Sequence, residues 1–439
     1  MIGTHELKKR DFYLKKLIGF RDTEPVKVVT GIRRCGKSSL LKLMVLHLRE
    51  SGVAADQILE MNFESYEFRD MTEESLYRYV KERVPAGRRI YLFFDEIQRI
   101  CGWENAVNAF RVDFDCDIYV TGSNAWLLSS EYSTYLSGRC VEIRMLPLSF
   151  REFLDFNGFS VRESESAFGG TRLQILGANG EYYDPKEAFA AYLRFGGMPG
   201  IADVGLDQEK AFALLEGIYS TVVVRDVMER EKRKGVRQIN DPSLLRRIIL
   251  FLADNIGSSV SISSIGNTLA SAGLLEERGR KGAPSAHTVQ NYIGALLENY
   301  FFYEARRFDV KGKEYLRTLG KYYIVDVGLR NYLLGISDRD RGHILENIVY
   351  LELLRRGYDV AVGKVGEREV DFVAVKAGEK KYYQVTESMQ SEEVRERELA
   401  PLRRISDQYE KIVLSLDPDP IAGYEGIRSV WLIGWLLRE

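Results

Sequence analysis

The chain has 439 residues, of which 45% are hydrophobic and 29% are charged, and its formal net charge at pH 7 is -2. This length allows about three domains of ~150 residues with ordinary cores, and the near-neutral charge excludes a polybasic chain, so any nucleic-acid surface must be a local patch. The chain has four scattered cysteines, no apolar run near the ~20 residues that span a bilayer, and no apolar segment near the N-terminus. These features predict a cytoplasmic protein with reduced thiols and no membrane partner.

A phosphate-binding motif stands near the N-terminus. Residues 31–38 read GIRRCGKS and fit G-x-x-x-x-G-K-[ST]. The β-branched segment before them predicts a strand, and the segment after them has helical apolar spacing, so the motif lies where a helix N-terminus faces phosphate. The Lys37 ammonium reaches the β- and γ-phosphates of such a ligand, and the Ser38 hydroxyl holds Mg²⁺. The residues expected to bind nucleotide are Gly31, Arg34, Cys35, Gly36, Lys37, Ser38 and Ser39.

A second apolar run, residues 90–94, ends in two carboxylates, Asp95 and Glu96. A continuous apolar strand is typical of a parallel sheet covered on both faces, and ligands bind at the carboxyl edge of such sheets. We expect Asp95 to hold the Mg²⁺ shell and Glu96 to deprotonate the attacking water. This is the Walker B arrangement.

A third strand, residues 117–120, runs into a polar turn that contains Ser123 and Asn124. A polar side chain at that strand end would contact the γ-phosphate or the catalytic water. Either residue fits this sensor role, and we assign Asn124 to the catalytic set.

Arg139 follows as the candidate for a cation that stabilises transition-state charge. Arg33 and Arg34, inside the phosphate loop, are rivals for phosphate or base contacts. The sequence leaves open whether Arg139 acts on the nucleotide of its own chain or on that of a neighbouring subunit.

At this point the motifs resemble a known family, the prokaryotic AAA+ ATPases of AAA_14 type that carry a C-terminal DUF4143 region. The stretches that carry the resemblance are residues 29–38, 94–98, 121–124, 136–139 and 146–153. The resemblance implies an α/β fold, with a P-loop AAA+ parallel sheet and helices on both faces, over residues 1–155. It also implies ATP and Mg²⁺ as ligands and a homo-oligomeric ring.

The resemblance makes residues 156–240 a helical lid-like region. Residues 156–185 are rich in Gly, Ser and Glu, which predicts a loop or insertion. The stretch from Phe195 to Gly200 predicts a strong helix stop. Arg225 and Arg230, on the helix that follows, are expected near the nucleotide.

Residues 241–340 read as a winged helix-turn-helix. Three helical segments precede a hairpin expected over residues 301–307, 310–313 and 321–324. Such a module places a helix in the major groove and basic wing residues on phosphate. Use of the same fold for protein packing stays open. The expected DNA contacts are Lys281, His287, Gln290, Asn291, Arg306, Arg307, Lys311 and Lys313.

Residues 341–439 resemble the core of PD-(D/E)xK nucleases, with a helix followed by two strands. Glu346 and Asp371 occupy two of the acidic positions, but Gln384 stands where Glu belongs and Thr386 where Lys belongs. Gln is a weak Mg²⁺ ligand and Thr cannot replace an ammonium. The resemblance therefore implies a degenerate nuclease-like α/β domain kept for binding or assembly.

The sequence thus favours an ATP-binding and ATP-hydrolysing AAA+ switch or motor, whose nucleotide state is coupled to duplex or branched DNA through the C-terminal domains. The alternative is a nucleotide-gated protein-interaction scaffold, in defence or stress signalling, without DNA contact. An ATP-dependent nuclease is disfavoured by Gln384 and Thr386.

Overall fold

A computed structural model describes residues 7–123, 138–165, 171–229, 239, 241–271, 284–312, 314–315, 320–337, 339–418 and 423–438. The chain forms two compact units. The first comprises Met1–Leu146 with Glu298–Tyr300, and the second comprises Pro147–Leu297 with Phe301–Glu439.

The first unit is built on a five-stranded sheet with the order β2-β3-β4-β1-β5, and all its neighbouring strands are parallel. Its strands are β1 (Val26–Thr30), β2 (Ile58–Asn62), β3 (Ile90–Asp95), β4 (Cys116–Gly122) and β5 (Cys140–Arg144). Its helices are α1 (Asp11–Gly19), α2 (Lys37–Glu50), α3 (Glu73–Lys81) and α4 (Trp103–Asp113). Short 3₁₀ turns occur at Ala55–Gln57, Tyr66–Phe68 and Ile97–Arg99.

Helices cover both faces of this sheet. Alternate strand residues such as Val28, Leu92 and Val120 form one core with the apolar stripes of α3 and α4. The residues between them point to the other face, where α2 packs against β3 and β4. That face also carries a fully buried ion pair between Lys27 Nζ and Asp117 Oδ1, 2.5 Å apart. The expected α/β fold with a parallel central sheet is confirmed.

The second unit begins with α5 (Phe150–Phe156) and a three-stranded antiparallel sheet. The strands of that sheet are β6 (Ser160–Glu165), β7 (Thr171–Leu176) and β8 (Tyr182–Tyr183). The expectation of a loop over residues 156–185 is therefore wrong. The Gly-rich stretches at 169–170 and 177–180 separate short strands, and the Ser- and Glu-rich composition hid their alternation.

Helical segments follow: α6 (Pro185–Phe195), a 3₁₀ segment (Pro199–Val204), α7 (Gln208–Ser220) and a π-helical segment (Thr221–Glu229). The predicted helix stop is confirmed, because α6 ends at Phe195 and Gly196 has a φ of +77°. A Cβ on Gly197 would come 2.4 Å from the carbonyl oxygen of Leu148. The Gly197 N–H instead donates to Asp326 Oδ2 over 2.6 Å.

A group of helices then leads into a second small antiparallel sheet, with the order β10-β13-β9. Its elements are α8 (Pro242–Asp254), β9 (Ser259–Val260), α9 (Ile262–Ser271), α10 (Ala286–Glu298), β10 (Phe302–Ala305) and β13 (Gly320–Ile324). The expected hairpin is correct only for β10 and β13. After Arg306 the chain leaves this sheet, because β11 (Arg307–Asp309) pairs with β12 (Glu314–Tyr315) and runs parallel to a strand of the C-terminal sheet.

The remainder of the second unit is an eight-stranded mixed sheet with the order β12-β11-β14-β15-β16-β17-β19-β18. Strands β14 to β16 form an antiparallel meander, and β16, β17 and β19 run parallel. The strands are β14 (Asp359–Val365), β15 (Arg368–Lys376), β16 (Glu379–Val385), β17 (Glu410–Ser415), β18 (Gly423–Tyr424) and β19 (Ile427–Trp431). The helices are α11 (Val327–Leu334), α12 (Arg341–Arg355), α13 (Glu392–Arg403) and α14 (Leu432–Leu437).

Candidate nucleotide site

The phosphate loop connects β1 to α2, as its motif predicts. Gly31 has a φ of +141°, and a Cβ on it would come 2.1 Å from the carbonyl oxygen of Met145. Gly36 has a φ of +104° and caps the N-terminus of α2, and Arg34 is also left-handed with a φ of +64°. A loop with these backbone angles turns its N–H groups inward at the helix N-terminus, which suits an anionic phosphate.

Lys37 is buried inside this loop. Its Nζ donates to the carbonyl oxygens of Gly31 and Ile32 over 3.0 and 3.1 Å. Ser38 is half-buried and Ser39 is exposed. The side chain of Cys35 is buried, and burial raises the pKa of its thiol. Cys35 therefore contributes to the loop mainly through its backbone.

Arg10, in the N-terminal segment of the first unit, holds the backbone of the phosphate loop through hydrogen bonds. The sequence did not reveal this contact. Arg10 is buried and donates through one guanidinium nitrogen to the carbonyl oxygens of Cys35 (2.9 Å) and Leu146 (3.0 Å). Its guanidinium also lies 4.8 Å from the centre of the Tyr13 ring. The Tyr13 hydroxyl in turn accepts the Leu146 N–H over 3.0 Å. Arg10 thus fixes the loop backbone next to its second glycine.

Asp95 and Glu96 lie at the carboxyl end of β3, as expected, and Thr121 of β4 connects them. The Thr121 hydroxyl donates to Asp95 Oδ1 over 2.5 Å and accepts the Glu96 N–H over 2.9 Å. Because β4 lies between β3 and β1, this hydroxyl stands between the two carboxylates and the strand that leads into the phosphate loop. The sequence predicted a polar turn after β4 and included Thr121 in it, but it indicated no role for the Thr121 hydroxyl.

Glu96 is buried and has a φ of +54°, which is uncommon for a residue with a side chain. Two donors approach its Oε2 atom: Gln98 Nε2 at 2.5 Å and Ser123 Oγ at 3.3 Å. Of the two sensor candidates, Ser123 therefore lies beside Glu96. Asn124 lies outside the described residues, so its role stays a prediction.

The candidate arginines are distributed over different places. Arg139 is exposed, donates to Asn108 Oδ1 over 3.2 Å and immediately precedes β5. Its carbonyl accepts the N–H of Val26, the first residue of β1. Arg139 therefore stands at the amino edge of the sheet, separated from its own phosphate loop by the five residues of β1, or about 16 Å.

Of the two loop arginines, Arg33 pairs with Glu64 over 2.5 Å, and Arg99 shares the same carboxylate oxygen at 3.0 Å. Arg34 is exposed. Arg230, expected near the nucleotide, and the side chain of Arg225 lie outside the described part of the chain.

Relatives and family models agree with this geometry. A model described as an AAA domain, AAA_14, matches residues 23–154. An uncharacterised protein of Haemophilus influenzae is 38% identical over 431 residues, which cover 98% of this chain and 98% of that protein. The chain belongs to the same family as this protein, and its residues 23–154 match an AAA domain. An uncharacterised protein of Methanocaldococcus jannaschii is 31% identical and covers 79% of this chain and 71% of that protein.

The match to an AAA domain supports nucleotide binding and hydrolysis, typically with a divalent metal ion. A solved structure, the Walker-type ATPase of Pyrococcus abyssi, is 17% identical with a TM-score of 0.48, covering 74% of this chain and 95% of that one. The expected DUF4143 region is not confirmed, because residues 186–340 match a domain of unknown function, DUF8612. In the described part of this chain, no helix has the length and apolar character needed to cross a membrane.

A second polar cluster lies in the second unit, in a cleft of about 480 Å³ beside β15, β16, α12 and α13. Glu346, Asp371, Gln384 and Thr386 all line it, so the four residues singled out in the sequence do come together. Gln384 Nε2 donates to Glu398 Oε2 over 2.9 Å, and Asp371 Oδ2 accepts the Val385 N–H over 2.8 Å.

This cluster contains its own cation, which the sequence did not reveal. Lys321 Nζ lies 2.5 Å from Glu369 Oε1 and 3.4 Å from Glu346 Oε2. Burial alone would lower the pKa of Lys321, but the carboxylates of Glu346, Asp371 and Glu369 raise it above its ordinary value. Burial raises the pKa of Asp371 well above its usual range, and the charge of Glu346 adds to the effect. Among the described residues, no three acidic, His or Cys side chains are grouped so as to hold a metal ion.

The residues predicted to contact DNA are only partly described. His287 and Gln290 are exposed on α10, Asn291 is half-buried beside His287, and Arg306 and Lys311 are exposed. Arg307 is half-buried within β11. Lys281 and Lys313 lie outside the described residues.

Proposed function

We propose that the chain is a Mg²⁺-dependent ATP hydrolase whose nucleotide cycle drives a switch or motor acting on DNA. The observation that carries the hydrolytic part is the bridge at Thr121, which joins Asp95 and Glu96 on the strand next to the one that leads to Lys37. The loop suits a polyphosphate, because the positive φ angles of Gly31, Arg34 and Gly36 turn its N–H groups inward at the N-terminus of α2.

Each residue then has one task. The loop N–H groups and the Lys37 ammonium bind the β- and γ-phosphates of ATP. The Ser38 hydroxyl and the Asp95 carboxylate would hold Mg²⁺, which neutralises charge on the phosphates when it is bound. Glu96 accepts a proton from the attacking water. Ser123, with Asn124 as the other candidate, orients the water or the γ-phosphate.

Two substitutions test the hydrolytic part. Lys37→Ala should abolish binding of a fluorescent ATP analogue, because the phosphates lose their cation. Glu96→Gln should bind the analogue normally and lose turnover, because the amide cannot take the proton. Glu67→Gln, on an exposed surface of the same unit, is the matched control. Unchanged turnover in Glu96→Gln would refute the assigned base.

Arg139 acts in trans in this proposal, within a homo-oligomeric ring. The separation of about 16 Å from its own loop supports a neighbouring nucleotide as its target. Mixing two inactive variants tests this. An Arg139→Ala chain carries an intact Walker site, and a Glu96→Gln chain carries an intact Arg139. A mixture that regains turnover supports action in trans, whereas a mixture as inactive as its components contradicts it.

DNA is the proposed partner of residues 241–340, interpreted as a winged helix that follows a lid-like region at 156–240. Three helices precede the β10–β13 pair, and α10 presents exposed polar side chains at His287 and Gln290. Exposed Arg306 and Lys311 supply positive charge near the strands. Contacts of this kind produce binding that weakens steeply with salt.

A gel-shift assay with duplex and branched DNA at low and high salt tests the DNA proposal. Reversing both charges, Arg306→Glu with Lys311→Glu, should remove the salt-sensitive shift. Arg69→Glu with Arg83→Glu makes the same charge change at exposed positions in the first unit and should leave it intact. If the unmodified chain gives no shift at low salt, the alternative of a nucleotide-gated protein scaffold is favoured.

Residues 341–439 are proposed to be a degenerate nuclease-like domain that binds without cutting. The β14–β16 meander, the flanking helices and the parallel β17 support the resemblance. Gln384 donates to Glu398, and Lys321 already occupies the space beside Glu346 and Glu369 with a positive charge. Purified protein that cuts DNA with Mg²⁺, and loses this activity on Asp371→Ala, would contradict this part of the proposal.

A further inference from the structure

Gln98 is a residue of the Walker B turn for which neither the motif nor the family match supplies a role. It lies in the 3₁₀ turn Ile97–Arg99, directly after the left-handed Glu96. Because of this backbone path, the Gln98 side chain folds back toward the Glu96 carboxylate, and Gln98 Nε2 lies 2.5 Å from Glu96 Oε2. The contact is local in sequence and is therefore set by the turn itself.

The contact fixes the orientation of the Gln98 amide. A carboxylate only accepts hydrogen bonds, so the NH₂ group must face Glu96 and the amide oxygen must face away. That oxygen, Gln98 Oε1, is buried and has no hydrogen-bond partner among the described residues. A buried acceptor without a donor costs stability, and a donor that arrives with the substrate would offset that cost.

The Glu96 carboxylate is held from one side only. Gln98 and Ser123 both donate to Oε2, and in the described residues no donor approaches Oε1. The turn thus offers two acceptors, Glu96 Oε1 and Gln98 Oε1, on two side chains that are bonded to each other. A water molecule carries two protons and can donate to both acceptors at once.

We propose that Gln98 is a positioning residue for ATP hydrolysis: it holds the Glu96 carboxylate through Nε2 and orients the attacking water through Oε1. This inference rests on the proposed function, because it assigns Glu96 as the base. With one water proton on Glu96 and the other on Gln98, an oxygen lone pair is left to point at the γ-phosphate. Glu96 takes the first proton as the water oxygen bonds to phosphorus, and the bond to the ADP oxygen breaks.

The geometry also admits the opposite interpretation, in which Gln98 restrains Glu96 and slows the reaction. The two interpretations differ in sign. Loss of a restraint raises turnover, whereas loss of positioning lowers it.

The test compares Gln98→Ala and the near-isosteric Gln98→Met with the unmodified chain. We expect kcat to fall about ten- to a hundredfold in both, which is less than the roughly 10²–10⁴-fold of the base itself, because Gln98 positions the proton transfer and Glu96 performs it. The KM for ATP and the affinity for a fluorescent ATP analogue should change less than about twofold, since the phosphate loop is untouched. Gln57→Ala, which removes a side-chain hydrogen bond to the Arg89 carbonyl elsewhere in the unit, is the control.

The split between kcat and KM is the readout that a purely structural role would not give, because damage to the fold of this site would weaken ATP binding as well as turnover. Unchanged or raised kcat in Gln98→Ala and Gln98→Met overturns the inference. A chain that binds ATP but never hydrolyses it overturns the proposed function instead, and the inference with it.

Discussion

Glu104 is a buried carboxyl in the first turn of α4, 4% exposed, and its ionisation should set part of the pH dependence of stability. Burial raises its pKa from an ordinary 4.5 to about 7; a backbone hydrogen bond opposes this change, and the nearby charge of Glu73 adds to it. The folded chain therefore binds this proton more tightly than the unfolded chain. The free energy of unfolding must fall as the pH rises through the window from 4.5 to about 7.

The magnitude follows from the two pKa values. At pH 8 both states are mostly ionised, and the folded state loses about 3 kcal/mol relative to a chain with a neutral side chain at this position. At pH 5 the folded side chain is protonated and the loss is about 1 kcal/mol. Glu104→Gln keeps the volume and removes the charge. It should therefore raise the free energy of unfolding by about 3 kcal/mol at pH 8 and about 1 kcal/mol at pH 5.

Urea unfolding at the two pH values, followed by tryptophan fluorescence, measures this difference, since Trp103 lies in the same helix. Glu74→Gln, at an exposed position of α3, is the control and should change the free energy of unfolding by less than about 0.5 kcal/mol at either pH. Stabilisation of equal size at both pH values would show that ionisation is not its source. Destabilisation at pH 8 would refute the assigned burial cost.

Three further changes have expected outcomes. Gly197→Ala should destabilise the second unit by about 2–4 kcal/mol in thermal unfolding, because the added Cβ would come 2.4 Å from the carbonyl oxygen of Leu148. Gly294→Ala should instead stabilise it by about 0.5–1 kcal/mol, because Gly294 lies in a helix and a Cβ there would have no atom within 4 Å. Lys321→Met should cost about 3–5 kcal/mol, because it leaves buried carboxylates unpaired, and adding Glu346→Gln should recover part of the loss in the same assay. Arg10→Met should raise the KM for ATP about tenfold, since the loop loses two hydrogen bonds from a charged donor; an unchanged KM would argue against its role in holding the loop.

The sequence predicted the parts of the site that depend on neighbours along the chain. The glycine positions of the phosphate loop follow from the motif, and Asp95 and Glu96 follow from a strand that ends in carboxylates. The Gln98 contact is also local, because only one residue separates Gln98 from Glu96 along the chain. The observation that would have revealed it is the left-handed backbone of Glu96, which no composition or periodicity reports.

Other features depend on contacts between segments that are distant along the chain, which the sequence does not encode locally. Thr121 meets Asp95 only because β4 lies beside β3, and Arg10 meets Cys35 across 25 positions of the chain. The strands β6 and β7 were missed because their alternation runs through Ser, Glu and Arg, residues that also predict loops. The switch of the chain between sheets after Arg306 is likewise a consequence of pairing with β14, some fifty residues later.

The two polar clusters differ in how their charges and acceptors are satisfied, and this difference separates their roles. In the second unit, Lys321 forms ion pairs with Glu346 and Glu369, so that cluster holds its own cation. Beside Glu96 the described residues leave a buried acceptor on Gln98 without a donor, at the edge of the sheet where β1 delivers the phosphate loop. A buried polar group that has its hydrogen-bond or ionic partners within the protein stabilises the fold. A buried polar group without such partners carries a free-energy cost that ligand binding can offset. This contrast supports the proposal that the chemistry of this chain belongs at the Walker edge of the first unit and that the cleft of the second unit serves binding.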